Sequence, residues 1–304
     1  MVRRGVTVRR DGQSSAAGVT GRLPRAGIGR LRTVALTAAT LVCFAANSLL
    51  CRAALRPRLI DAATFTSIRL VSGAAALALI LAMTKRERPA GGSVGSAVAL
   101  FAYAGAFSLA YVRIGAGVGA LLLFGAVQVT MLGWSVARGA RPGWLAWFGI
   151  AIGLGGLACL ALPGASAPDP AGAALMVAAG VAWGAYSIRG GSARDPLATN
   201  ADNFLRAVPF TLALSAALLR GFAATRDGVL LAAASGALAS GGGYSLWYAV
   251  VPALGATRAS VVQLAVPVLA GLGATAFLGE RLTSRVAISG AAILLGIALA
   301  LRRR

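Results

Sequence analysis

The sequence has no histidine in 304 residues. That absence removes the commonest general base, the usual metal ligand and the usual proton relay. Charge is also scarce: 12% of residues are Asp, Glu, Lys or Arg, against about 25% in an ordinary soluble domain, which excludes a soluble enzyme. Acid is scarcest of all, with 8 Asp+Glu. None falls in the middle of an apolar run, so a buried carboxylate relay for protons has no candidate. The three cysteines, Cys43, Cys51 and Cys159, lie in apolar runs without ligand spacing and read as small packing residues rather than as a disulfide or metal set. No phosphate-cradling loop is present, which excludes direct ATP hydrolysis. Neither a cofactor nor a metal is expected.

What remains is apolar and basic. Hydrophobic residues make up 58% of the chain, and 29 Lys+Arg give a net charge of +21. The basic residues concentrate at the ends, with 8 in residues 1–32 and three arginines closing the chain. Nucleic-acid binding would need them on a folded face beside stacking aromatics or a reading helix. Here they flank apolar runs of about 20 residues, the length that crosses a bilayer, so the lipid bilayer is the expected partner and nucleic acid is not.

Residues 1–32 are rich in Arg, Gly and Ser and are expected to be a disordered basic cytoplasmic tail. Arg9-Arg10 is followed by Asp-Gly-Gln, without the hydrophobic context of an export signal, and the first apolar run reads as a retained span. Hydropathy and loop breakers predict spans near 33–52, 64–84, 94–112, 115–137, 143–162, 171–189, 203–220, 228–250, 256–278 and 284–301. With the N-terminus inside, 19 Lys+Arg fall on the cytoplasmic side and 8 on the other, but without the two tails the sides are equal at 8 each. The basic N-tail therefore orients the chain, with both termini cytoplasmic in a multi-pass cell inner membrane protein.

The chain also repeats itself. At an offset of 137, Arg52 matches Arg189, Arg69 matches Arg206, Gly105 matches Gly242, and Ser108-Leu109-x-Tyr111 matches Ser245-Leu246-x-Tyr248. At an offset of 140, Gly115-Ala116 matches Gly255-Ala256, Gly139 matches Gly279, Arg141 matches Arg281, and Gly156 matches Gly296. Two five-span halves, 33–162 and 171–301, follow. An odd number of spans turns the second half upside down, an architecture used by transporters.

The most specific stretches are Tyr244-Ser-Leu-Trp-Tyr248 through Leu254-Gly-Ala-Thr-Arg258, Val266-Pro267-Val268 and Leu278-Gly-Glu-Arg-Leu282, with Ala182-Trp183-Gly184 and Tyr186-Ser187 opening the second half. In these the chain resembles the EamA family of the drug/metabolite transporter superfamily. The resemblance implies an all-α polytopic membrane protein of ten transmembrane helices, built as two inverted five-helix repeats around a shared cavity, with both termini cytoplasmic. It leaves the substrate open, since relatives handle amino acids, sugars, nucleotides and toxic compounds. The first half departs from the family pattern at Ala46, where tryptophan is usual, and at Ala140, where the Gly-Glu-Arg motif has its acid.

Candidate substrate-pathway residues are Asn47, Arg69, Tyr111, Gln128, Trp183, Arg206, Tyr248 and Gln263, with Thr130, Ser187, Ser245 and Trp247 as further polar or aromatic members of the spans. In lipid such groups either bond between helices or line a wet cavity. Arg69 and Arg206 sit near span ends, where a cation snorkels cheaply, and Asp202 stands one turn before Arg206. Anchoring and substrate roles both stay open for them. Gly105, Gly241, Gly242 and Gly243 mark hinges or close packing. Glu280 and Arg281 form a loop motif in which Glu280 ties a helix end or an arginine. The expected function is a secondary transporter by alternating access, preferably an exporter of small organic metabolites or drugs. The alternatives are a membrane-embedded enzyme or a scaffold acting on lipid intermediates. Homodimer formation is left open.

Overall fold

The computed structural model describes residues 29–84, 91–139, 141–161, 167–190 and 193–300. Residues 1–28 of the basic tail expected to be disordered, Ala140 and the C-terminal arginines lie outside the described residues, while the end of that tail, Arg30 to Arg32, is already the first turn of a helix rather than disordered. The elements are α1 (Arg30–Leu55), α2 (Ala62–Met83), α3 (Val94–Arg113), α4 (Ala116–Ala137), α5 (Trp144–Ala161), α6 (Pro170–Gly190), α7 (Pro196–Ala217), a 3-10 turn (Leu219–Gly221), α8 (Arg226–Ala234), a π-helical stretch (Ser235–Gly242), α9 (Gly243–Gln263), α10 (Ala265–Leu278) and α11 (Ser284–Ala300). Among the described residues the fold is all-helical, the one extended pairing being an isolated bridge between Ile60 and Ala224.

Six helices are long and apolar enough to cross a membrane: α1, α2, α3, α4, α6 and the continuous run Arg226–Val251 through α8 into α9. Shorter apolar helices occupy Trp144–Leu160, Ala265–Leu278 and Ser284–Leu299. This is the build of a polytopic membrane protein, in which a helix satisfies its own backbone where water cannot.

Side chains stop the ends from fraying. Asp61 accepts from Ala63 N at 3.0 Å and Thr64 N at 2.9 Å to cap α2. Ser93 caps α3 and Thr225 caps α8. Gly279, at φ 63°, ends α10 in the left-handed conformation that glycine adopts at no steric cost. Asp195 caps α7 with Pro196 in its first turn, so this helix begins well before the expected 203. Each cap of this kind is worth about 1 kcal/mol.

The predicted break at 251–255 is also helical, and the interruption falls at Leu264 instead. Pro267 has no N–H to give to the Gln263 carbonyl, so the α-helical ladder cannot run through that point.

Small residues bring the helices together. A Cβ on Gly180 would lie 2.7 Å from Leu123 O of α4, and one on Gly296 of α11 would lie 2.5 Å from Gly149 O of α5. Without a hydrophobic force between helices in lipid, such close approach is what holds them. The main pairings are α5 on α11, α3 and α4 on α6, α2 on α7 and on the π stretch, and α1 on α9 and α10.

Connections also touch one another. The α1–α2 turn pairs with the segment before α8 through Asp61 N to Ala223 O at 2.8 Å and Thr225 N to Leu59 O at 2.7 Å. Partial burial alone would push the Asp61 carboxyl up, but hydrogen bonds from Thr64, Ala223 and Ala63 outweigh it and hold the group below its ordinary value.

Candidate functional site

A cavity of about 390 Å³ lies among α1, α3, α4, α6, the π stretch and α9. Its polar lining includes Asn47, Ser48, Tyr103, Gln128, Ser187, Ser240 and Gln263, and its aromatic lining Phe44, Phe107, Phe124, Trp183, Tyr244 and Trp247. The size falls within the usual range of small-molecule pockets, roughly 300 to 1,000 Å³.

The aromatic wall is continuous. Trp183 stacks on Tyr244 at 5.2 Å between centroids and 23° between planes. It also meets Tyr103 at 4.8 Å, while Phe44 contacts both Tyr244 and Trp247 edge-on. Geometry of this kind adds about 0.5–1.5 kcal/mol per pair beyond area burial and keeps the rings in place.

Behind one wall lies a polar network. Arg69, 1% exposed, gives Nη2 to Tyr103 OH at 3.0 Å and Nε to Ser240 Oγ at 3.4 Å. Its Cζ stands 5.1 Å from the Tyr103 ring centroid and 4.9 Å from that of Phe107. Asn47 gives Nδ2 to the same Tyr103 hydroxyl at 3.4 Å and accepts from Ser235 Oγ at 2.6 Å. A cation at the bilayer centre costs about 2.5–3.5 kcal/mol on translocon scales. Two cation–π contacts, each worth about 0.5–2 kcal/mol, recover much of that.

The π-helical register explains the pairing of Ser235 and Ser240. In a ladder bonded i to i+5, residues five apart sit on one face, whereas an α-helix would turn them about 140° apart. The stretch also hugs α2: a Cβ on Gly236 would lie 2.2 Å from Arg69 O, and one on Gly241 would lie 3.0 Å from Ala76 Cβ.

At the other end of α1, Arg52 gives Nη1 to Tyr111 O at 2.7 Å and Nε to Glu280 Oε1 at 3.2 Å. Glu280 in turn accepts from Ala116 N at 2.8 and 3.1 Å, which sets its charge on the N-terminus of α4. This clasp ties the ends of α1, α3 and α4 to the loop after α10. It is mostly buried, with side-chain exposures of 12% for Arg52 and 17% for Glu280.

The predicted residues thus part company. Asn47, Gln128, Trp183 and Gln263 line the cavity, together with Ser187 and Trp247. Arg69 stands one layer behind it, and Tyr111 is fully buried beyond it, edge-on to Phe107 at 4.6 Å. Arg206 is elsewhere: its side chain is 42% exposed and pairs with Asp202 at 3.0 Å, one turn away on α7. Tyr248 is on α9, but its side chain lies outside the described residues. Gly241 and Gly243 pack closely, the latter 2.9 Å from Cys43 Cβ measured from an added Cβ, whereas Gly105 and Gly242 have ordinary clearance. Arg281 is exposed beside the clasp.

Tyr103, Ser235 and Ser240 were not singled out from the sequence. For Tyr103 a signal existed, since Tyr103, Phe107 and Tyr111 recur every fourth residue along one face of α3.

Residues 170–302 match the model of the EamA-like transporter family. An uncharacterised protein of Pseudomonas aeruginosa is 50% identical over 274 residues, covering 90% of this chain and 96% of its own. A solved crystal structure is similar over 86% of this chain and 97% of its own, with a TM-score of 0.62 at 19% identity, a likeness of fold.

Proposed function

Because the chain belongs to the EamA-like transporter family, we propose that it is a secondary transporter that carries a small organic solute through the cavity by alternating access. The observation that carries this reading is the cavity itself, which draws its lining from α1, α3 and α4 of the first half and from α6, the π stretch and α9 of the second.

Ten crossings in two inverted repeats complete the proposal. The less apolar α7 and the shorter α5, α10 and α11 join the six long helices. Loop contacts support it: Arg52 with Glu280, Asp61 with Ala223, and Arg285 with the Cys159 carbonyl at 2.8 Å all join segments that ten alternate crossings put on one side. Gly92 N with Asp202 at 2.8 Å and Ser93 N with Asn203 at 3.0 Å join segments on the other. The packing pairs also match under exchange of halves, α3 on α6 answering α1 on the helix from α8 to α9, and α4 on α6 answering α1 on α10.

The positive N-tail orients the bundle with both termini in the cytoplasm of a cell whose inner membrane it spans. In that frame Met131, Ser187, Val251 and Gln263 extend the cavity lining toward the cytoplasmic ends of their helices. The opposite end is closed by buried Cys51, Leu55, Phe65, Ser108 and Tyr111 under the clasp. A solute entering from the cytoplasm and leaving outside, that is export, fits this state.

Counterflow in sealed proteoliposomes tests the reading, using solutes that raise the melting temperature of the purified protein in a metabolite and drug panel. Labelled solute is expected to accumulate against an internal pool of the same compound, and replacing Gln128 or Trp183 with Ala should cut the rate at least tenfold. Stabilising solutes that never exchange would overturn it.

A further inference from the structure

The charge of Arg69 has no counter-ion among the described residues. The chain holds 8 Asp+Glu, and those among the described residues each have a place away from this guanidinium. Asp61 and Asp195 cap helices. Asp169 bonds Gly172 N at the start of α6 and stands 3.6 Å from Arg113, while Asp227 lies in the first turn of α8. Asp202 pairs with Arg206, and Glu280 pairs with Arg52. Asp11 and Glu87 lie outside the described residues, in the tail and in the loop before α3.

Hydroxyls and aromatic faces soften a buried cation, but in a low dielectric they do not cancel its net charge; only an opposite charge does. Nη1 of Arg69 is buried without a hydrogen-bond partner among the described residues. The two hydroxyls that Arg69 does engage belong to residues of the cavity wall. Tyr103 OH already accepts from Arg69 Nη2 and from Asn47 Nδ2. Its own proton is therefore left to give, and a neighbouring cation makes an O–H a stronger donor. Ser240 Oγ stands in the same relation to Arg69 Nε. The wall thus offers polarised O–H donors backed by a positive charge without a counter-ion among the described residues, beside the stack of Trp183 on Tyr244, which Trp183 joins to the Tyr103 ring.

We propose that the cavity binds an organic carboxylate with a flat apolar body, its anionic end taken by the hydroxyls of Tyr103 and Ser240 in front of Arg69 and its body by the wall of Trp183, Tyr244 and Phe44. This rests on the transporter reading for the purpose of the cavity. None of the described cavity-lining residues is acidic, so an ammonium group has no ionic partner among them. A simple carboxylate is therefore preferred over an amino acid zwitterion of the same body.

The probes are 3-phenylpropanoate, its uncharged amide and L-phenylalanine, which share a benzene ring and differ in charge. Binding to the full chain in lipid nanodiscs is measured by titration calorimetry. The carboxylate is expected to bind at least tenfold more tightly than either of the others, about 1.4 kcal/mol. Tyr103→Phe keeps the ring and removes the donor, and should abolish most of that preference; Arg69→Met should do the same if it folds, and Tyr103→Phe decides if it does not. Equal binding of carboxylate and amide, no binding of any probe, or an undiminished preference in Tyr103→Phe overturns the proposal. Counterflow of the same probes in sealed proteoliposomes separates the two readings. Exchange without a carboxylate preference leaves a transporter with another substrate class, whereas carboxylate binding without exchange leaves the site and removes the transporter.

Discussion

Arg69 and Arg206 hold matched places in the two halves of the sequence, yet their surroundings set very different values on their charge. Arg206 is exposed and paired within its own helix, an arrangement worth about 0.3–0.5 kcal/mol and easily made by lysine. Arg69 uses two N–H groups of its planar fork at once, Nη2 toward Tyr103 and Nε toward Ser240, and lays the fork near two rings, which an ammonium cannot reproduce. Arg206→Lys is therefore expected to transport at the wild-type rate at equal expression, while Arg69→Lys loses at least tenfold, about 1.4 kcal/mol in barrier terms. Equal rates in both variants would return Arg69 to an anchoring role. Symmetry of sequence could not have told the two apart, because burial depends on which helix packs over each. Polarity inside an apolar run was the better guide: Asn47, Gln128, Trp183 and Gln263 all face the cavity. Tyr103 and Ser240 were hidden by their ordinariness, an aromatic in an aromatic stripe and a serine among glycines.

The clasp on α4 shows how a helix end can govern a larger motion. Its N-terminal N–H of Ala116 is satisfied by Glu280, a carboxylate from a distant loop, and Gly115 leaves the room, since a Cβ there would lie 2.5 Å from Glu280 Oε2. A charge on a partly buried helix N-terminus is worth up to about 2 kcal/mol, enough to shift a two-state equilibrium by more than tenfold. Glu280→Gln keeps an acceptor and loses the charge. It should raise the rate at which an impermeant maleimide reaches Cys51, which is buried beneath the clasp, by several-fold in a chain without Cys43 and Cys159. An unchanged rate would mean that the clasp does not hold this end shut. At the matching place in the first half the sequence has Ala140, and Arg189, counterpart of Arg52, gives Nε to Ser96 Oγ at 3.2 Å instead. Element boundaries were legible where local chemistry decides them. The Asp195-Pro196 pair announces the start of α7, and the absence of an N–H at Pro267 announces the break before α10. The π register was not legible, because it depends on how closely Gly236 and Gly241 can approach α2.

The proposed arrangement of the whole bundle has a direct check in two connections. Ala193, between α6 and α7, and Ala224, before α8, are each changed to cysteine in a chain without Cys43, Cys51 and Cys159. Ala224→Cys should react with an impermeant maleimide in intact cells and Ala193→Cys only after permeabilisation; the opposite pattern, or equal labelling, would remove the ten-span inverted model. Within such a bundle the π stretch acts on everything that follows it. A run of residues bonded i to i+5 carries one residue more than the α-helix that would fill the same length, and each residue of an α-helix turns the chain by about 100° and advances it about 1.5 Å. Tyr244 and Trp247 lie just past that extra residue, so their aim into the cavity is fixed by a count of residues upstream rather than by their own contacts alone. Were the same stretch wound as an α-helix, both rings would swing by roughly a quarter turn about the helix axis, and the aromatic wall that runs from Tyr103 through Trp183 to Tyr244 would come apart without any loop having moved.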